Sequence, residues 1–314
     1  MIVIQLSDPH ILAPGELLYR RFDTAEFLAR AVSEINRLDP LPDVAVVTGD
    51  LVDHGEPPEY EHLRALLAPL AMPVFVIPGN HDAREPLRAA FTADGYLPAD
   101  GFLQYAIEDY PVRLIALDTL IPGEAGGLLC SERLAWLDHT LASAAARPVL
   151  LMMHHPPFVT GIERMDRDGL QNTEALAAVV VRYPQIERIL CGHLHRAIDC
   201  RFAGTVAGTA PSTGAQLRLD LTAEAPLRFM HEPPGYQLHM WREDSGLATH
   251  TAVFGEWPDP HPLARLRPAL HGGMSFSYSA GCLEDQGLRG MEPRKIRCAA
   301  RIAEVPGLTQ HWFR

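Results

Sequence analysis

The sequence predicts an α/β layered domain, and three observations carry that prediction. Short runs rich in Val and Ile recur through the first 200 residues, amphipathic stretches separate them, and a polar cluster follows five of the runs. Residues 1–6, 44–47, 74–77, 112–117, 149–153 and 186–191 are bounded by Gly, Pro, Asp or His and read as buried strands. After Asp23, the apolar residues Phe27, Leu28, Ala31, Val32, Ile35 and Leu38 recur at intervals of three and four, as one face of a helix requires. Leu134, Leu137 and Leu141 do the same after Ser131. Asp23, Ser131 and Asn172 are the candidate N-caps. Such β–α alternation packs helices against sheets.

Beyond Gly192 the pattern changes to strands and turns. Residues 216–221, 228–232, 236–241 and 249–254 read as strands, with Pro233-Pro234-Gly235 among the turn signals. The expected organisation is a catalytic core over 1–200, a β-hairpin region over 201–257 and a tail over 258–314, where periodicity fades. No internal repeat is present.

Composition narrows the function. With 47% hydrophobic and 21% charged residues the chain has the make-up of a globular protein. No apolar run reaches the roughly 18 residues of a membrane span. Residues 1–6 lack the basic start and apolar core of a signal peptide, so a cytoplasmic location is expected. Cys130, Cys191, Cys200, Cys282 and Cys298 are scattered without CxxC spacing, which argues against a disulfide framework and a zinc knuckle. The net charge is −12, and Lys295 is the one lysine among 27 basic residues. A groove for polymeric nucleic acid needs a basic track, and none occurs. A small anion drawn to bound cations is compatible with this balance.

The chemistry sits in Asp8-Pro9-His10, Gly49-Asp50, Gly79-Asn80-His81-Asp82, His154-His155-Pro156-Pro157 and Gly192-His193-Leu194-His195. Each cluster alone also reads as a turn or a satisfied histidine. Together they stand at the carboxyl ends of five predicted strands, where open α/β sheets place their ligands. Carboxylate, amide and imidazole groups are thereby delivered to one edge.

The series DxH, GD, GNH(D/E), H and GHxH, in this order, resembles the calcineurin-like metallophosphoesterase superfamily over about residues 1–200. Gly15-Glu16-Leu17-Leu18-Tyr19, Met153-His154-His155-Pro156-Pro157 and the segment from Glu232 to His239 are similar to bacterial class III cyclic nucleotide phosphodiesterases and to the glycerophosphodiesterases of that subgroup. The resemblance implies a four-layer α-β-β-α sandwich. It implies one metal on Asp8, His10 and His195, another on Asn80, His154 and His193, and Asp50 bridging them. Oxygen and imidazole donors without thiolate suit Mn, Fe, Co or Zn. Two such ions roughly 3.5–4 Å apart can hold a hydroxide that attacks phosphorus. Two carboxylates and that hydroxide leave about one net positive charge, which matches a phosphodiester monoanion.

The same matching makes His81 the candidate to contact phosphoryl oxygens or protonate the leaving alkoxide, with Asp82 orienting its ring or capping the next helix. Asn80, His81 and His155 are the candidate substrate contacts, His155 alternatively serving its loop. One departure stands out. Closer relatives place histidine where this chain has Ala215, which removes a substrate contact and predicts loose discrimination. The expected activity is hydrolysis of small phosphodiesters, 3′,5′-cyclic nucleotides first and glycerophosphodiesters second. A phosphomonoesterase is the alternative, since Arg164, Arg167 and Arg196 could hold a dianion. A non-enzymatic interaction protein on this fold would lack several of the seven ligands. In the hairpin region Phe229, Met230, Tyr236, Met240 and Trp241 read mostly as local core; alternatively they form a self-association patch, since the resemblance implies a homodimer or higher homo-oligomer built through residues 201–257.

Overall fold

Alternation along the strands decides the layering. In the computed structural model, which describes residues 1–144 and 146–255, strand β1 (Ile2–Leu6) turns Val3 to one side and Ile4 and Leu6 to the other, and all three are buried. The same holds in β2 (Val44–Thr48) and β3 (Val74–Ile77), so this sheet is covered on both faces. The expected 258–314 tail, with Cys282, Lys295 and Cys298, lies outside the described residues.

A second group of strands follows, comprising β4 (Tyr105–Ile107), β5 (Arg113–Ala116), the short β6 (Gly127–Leu128), β7 (Val149–Met152), the short β8 (Leu170–Gln171) and β9 (Ile186–Cys191). After these come β10 (Ile198–Phe202), β11 (Thr205–Thr209), the two-residue pair β12 (Gln216–Leu217) and β13 (Phe229–Met230), and the long hairpin β14 (Gly235–Arg242) and β15 (Gly246–Val253). One sheet has the order β15-β14-β1-β2-β3, the other β10-β11-β9-β7-β5-β4. In the first, β1, β2 and β3 run parallel, and β14 adds antiparallel with Ile2 opposite Met240.

Between the sheets Val3, Val44, Val46 and Ile77 meet Leu114, Ala116, Leu150, Met152 and Leu190. On the outer face of the first sheet lie α1 (Thr24–Ile35), α2 (Pro57–Leu67) and α3 (Arg84–Phe91), which bury Leu28, Val32, Ile35, Leu63, Leu87 and Phe91. Helices α4 (Ser131–Ala142) and α6 (Thr173–Val180) cover the other sheet through Leu137, Leu141, Leu176 and Val180, while α5 (Glu163–Arg167) is a single short turn. The result is a four-layer α-β-β-α sandwich. No helix among the described residues is long and apolar enough to cross a membrane.

The caps show how local chemistry sets these boundaries. The Asp23 carboxylate accepts the Glu26 amide at 2.9 Å and starts α1. Helix α4 begins at Ser131 itself, with Cys130 as its N-cap, and Asn172 precedes α6 in a left-handed conformation without a side-chain cap bond. Strands expected over 216–221 and 228–232 shorten to β12 and β13. Of the apolar residues read as local core in that region, Tyr236 is buried in the core, and Phe229, Met230, Met240 and Trp241 are half-buried.

Candidate metal centre

The carboxyl ends of β1, β2, β3, β7 and β9 converge, and the polar clusters that follow them meet there. Gly49 and Gly79 permit the approach. A Cβ on Gly79 would overlap the Asp50 amide and carboxylate, and one on Gly49, which has φ +90°, would overlap the His154 ring. Asp8, His10, Asp50, His193 and His195 all have left-handed backbone, with φ between 43° and 73°. Such conformations cost of order 1–2 kcal/mol each for non-glycine residues and persist where the surrounding structure over-determines them.

Asp8, His10, Asp50 and His195 bring donor atoms within 4.8 Å of one another, as do His154, His155 and His193. The Nε2 atoms of His10 and His195 are 3.1 Å apart. The Asn80 Oδ1 lies 3.1 Å from His154 Nε2 and 3.0 Å from His193 Nδ1. Between the two groups Asp50 Oδ2 is 3.6 Å from His10 Nε2 and 3.3 Å from His154 Nε2. The far nitrogens are held by the protein. Nδ1 of His154 donates to the Thr48 carbonyl at 2.8 Å, Nδ1 of His195 to the Ala215 carbonyl at 2.7 Å, and Nδ1 of His10 to Asp53 at 3.1 Å. Each bond fixes a tautomer whose Nε2 lone pair faces the centre.

A cation fits this arrangement. Facing imidazole lone pairs repel without something positive between them, and Asp8 Oδ2 and His193 Nε2 are buried without a hydrogen-bond partner. Burial keeps His10, His193 and His195 neutral, His195 being lowered to about 4. Burial, reinforced by Asp50, raises Asp8 to about 6. For His154 burial acts downward, but the Asp50 and Asp8 carboxylates prevail and raise it to about 9. Burial would likewise raise Asp50, yet the imidazoles around it, His154 above all, hold it well below the usual carboxylate range. Oxygen and imidazole donors of this kind suit divalent transition metals. Among the described residues these clusters contain no cysteine.

His81 stands at the rim. Its amide donates to Asp50 Oδ1 at 2.9 Å, and its Nδ1 donates to the Asp53 carbonyl at 2.8 Å. A cleft of about 740 Å³ opens from Asn80 and His81. Asp82 does something other than orient that ring or cap α3, whose N-cap is Ala83. Its Oδ2 accepts the Gly79 and Leu51 amides at 2.8 and 3.1 Å, and its Oδ1 accepts the Tyr60 hydroxyl at 2.9 Å. His155, expected among the substrate contacts, is fully buried, with Nδ1 on the Thr119 hydroxyl and Nε2 facing the Ala125 carbonyl. It therefore braces the cleft wall instead of facing a ligand. Ala215 has a buried side chain, and its backbone holds His195. Asp53, which sequence reasoning passed over, links His10 to His81; its only signal was an acidic residue three positions after Asp50.

A family model for calcineurin-like phosphoesterases matches residues 1–197. The chain belongs to that family. It is 40% identical over 264 residues to a probable glycerophosphodiester phosphodiesterase of Arcobacter nitrofigilis, covering 84% of this chain and 97% of that one. It is 38% identical over 257 residues to a probable cyclic nucleotide phosphodiesterase of Rhodopseudomonas palustris, covering 81% and 93%. In fold it is similar to a dimetal phosphatase from Danio rerio, with a TM-score of 0.54 at 16% identity over 81% of this phosphoesterase and 99% of that chain.

Proposed function

We propose that this phosphoesterase hydrolyses small phosphodiesters, 3′,5′-cyclic nucleotides first and glycerophosphodiesters second. The observation that carries the reading is near full-length similarity to two relatives whose names are both phosphodiesterases. Three arginines that could have held the second charge of a monoester do not line the cleft, which supports a monoanionic diester as substrate. Arg164 is paired with Asp168, Arg167 with Glu163 and Glu224, and Arg196 with Glu232, so the arginines that could have held a second phosphate charge are engaged.

In this reading Asp8, His10 and His195 hold one divalent ion, Asn80, His154 and His193 hold the other, and Asp50 serves both. When bound, the ions supply Lewis acidity, lowering the pKa of water and offsetting charge on the phosphoryl group. Fe, Mn, Zn and Co all suit the donors. His81 spends Nδ1–H on the Asp53 carbonyl and presents Nε2 to the cleft, where it delivers a proton to the departing alkoxide. Exposed Leu219, Leu221 and Leu227 support self-association as a homodimer through the 201–257 region.

The test is a comparison of kcat/KM for cyclic AMP, glycerophosphoethanolamine, bis(4-nitrophenyl) phosphate and 4-nitrophenyl phosphate. Diesters should lead, and His81→Ala should lose about 10²–10⁴-fold on the alkyl diesters but less on nitrophenyl ones, whose leaving group needs no proton. A monoester preferred tenfold over every diester would assign the site to phosphomonoesters instead.

A further inference from the structure

The cleft beside Asn80 and His81 has two walls from separate parts of the chain. Asp53, His54 and the Asn80–His81 loop form one; Leu120, Pro122, Gly123, Glu124 and Ala125 form the other. Arg84, at the start of α3, joins them. Its Nε donates to Asp118 Oδ2 at 2.6 Å, and its Nη2 donates to Asp118 Oδ1 at 2.9 Å and to the Leu120 carbonyl at 2.6 Å. Asp118 is fully buried and also accepts the Leu103 and Leu120 amides. Arg133 reaches the carbonyls of Asp118 and Leu120 from behind, and the Phe102 ring lies 5.2 Å from the Arg84 guanidinium and 4.3 Å from that of Arg133. A planar fork bonded to both carboxylate oxygens fixes direction as well as distance. With two bonds to Asp118 and one to the Leu120 carbonyl, Arg84 is committed to the segment that carries the opposite wall and not to the phosphoryl group.

We propose that Arg84 is a positioning residue for the phosphodiesterase reaction: through Asp118 and Leu120 it holds the 120–125 wall against the Asn80–His81 loop, and so sets the grip on whichever organic substituent of the diester lies in the cleft. Three facts support it. Arg84 is the one residue of the cleft lining that hydrogen-bonds the carbonyl of a residue on the far wall among the contacts described above. Its partner Asp118 also accepts the Leu120 amide of the wall and the Leu103 amide, so the Arg84 fork is tied to the segment that carries the wall. The wall is braced from behind by Arg133, at the Asp118 and Leu120 carbonyls, and by His155, through Thr119 and Ala125; among Arg84, Arg133 and His155, Arg84 alone reaches it from the cleft side. A wall that touches substrate and transition state alike changes KM and leaves kcat nearly constant.

This inference rests on the diesterase reading, and the experiment separates the two. The metal-loaded wild-type chain must first hydrolyse bis(4-nitrophenyl) phosphate; if it does not, the diesterase reading fails before Arg84 is at issue. Arg84→Ala should then raise KM for that diester about tenfold, with kcat within about twofold. As competitive inhibitors, diphenyl phosphate should weaken by about the same factor and dimethyl phosphate, too small to reach the wall, by less than about twofold. Metal content should be unchanged. Arg84→Lys keeps a charge beside Asp118 but cannot make all three bonds, so it should show the same split at about threefold. It also supplies the comparison if Arg84→Ala fails to fold. Equal weakening of both inhibitors, or a kcat loss that matches the KM change, would place Arg84 on the phosphoryl group and overturn the proposal. Unchanged KM and inhibition in Arg84→Lys would overturn it too, because the wall would then stand without the clamp.

Discussion

Asp50 is the residue on which the site turns, because a single oxygen of its carboxylate faces an imidazole from each half, His10 on one side and His154 on the other. Its second oxygen is committed to the His81 amide. Replacing Asp50 by Ala should therefore strip both metals from tight binding, whereas Asn80→Ala should empty mainly one site. Metal quantification after gel filtration, with circular dichroism to confirm folding, checks this; full occupancy in Asp50→Ala would remove it from the bridging role. The seven candidate ligands were legible because strand ends and motif spacing leave marks in a sequence. The groups that hold their rings were not. Thr48 and Ala215 act through backbone carbonyls, which any residue possesses, and the left-handed backbone of Asp8, His10 and Asp50 is specified by tertiary contacts. His155 was hard to separate from His154, since adjacent histidines share every local signal and differ only in what the fold brings to each side.

At the scale of elements, the ends of β2 and β3 must stay in register for Asp50 and Asn80 to face each other. Asp82 performs that task by accepting one amide from each strand exit, Leu51 and Gly79, while the Tyr60 hydroxyl from α2 binds its other oxygen. Burial, with Asp50 adding to it, raises the Asp82 carboxyl to about 7. Asp82→Ala should cost about 1–3 kcal/mol for each of the two amides left without an acceptor. Tyr60→Phe should cost about half as much, about 1–3 kcal/mol, because its hydroxyl also accepts the Ala83 amide and one amide is left without an acceptor. Urea unfolding of the metal-free chain measures both, and equal effects would mean that the Asp82 bonds to the strand exits carry no special weight. The α1 boundary was legible because Asp23 caps it and its buried face keeps the helical period. The hairpin of β10 and β11 was not, since Ile198–Phe202 is mixed in polarity and only half covered. Leu219 and Leu221 fall in the strand expected over 216–221, but no sheet face covers them and the ladder stops after two pairs.

For the molecule as a whole, a charge of −12 surrounds a site built to hold cations. The two fields act over different distances. Near the centre the buried donors and the ions they would hold dominate a small anion, while a long polyanion must also approach a chain of net negative charge whose sequence offers no long basic run to displace its counterions. Salt separates these effects. Raising ionic strength from about 0.01 M to 0.15 M shortens the screening length from about 30 Å to about 8 Å. Hydrolysis of a small diester, decided within the cleft, should change by less than about twofold in kcat/KM across that range. Any residual cleavage of a single-stranded oligonucleotide should rise with salt, because screening relieves repulsion from the surface. A nuclease with a basic groove gives the opposite sign, losing affinity steeply as salt releases its counterion advantage. Oligonucleotide cleavage that is fast at low salt and collapses at 0.15 M would therefore show a polymer-binding surface on this chain and overturn the assignment to small diesters.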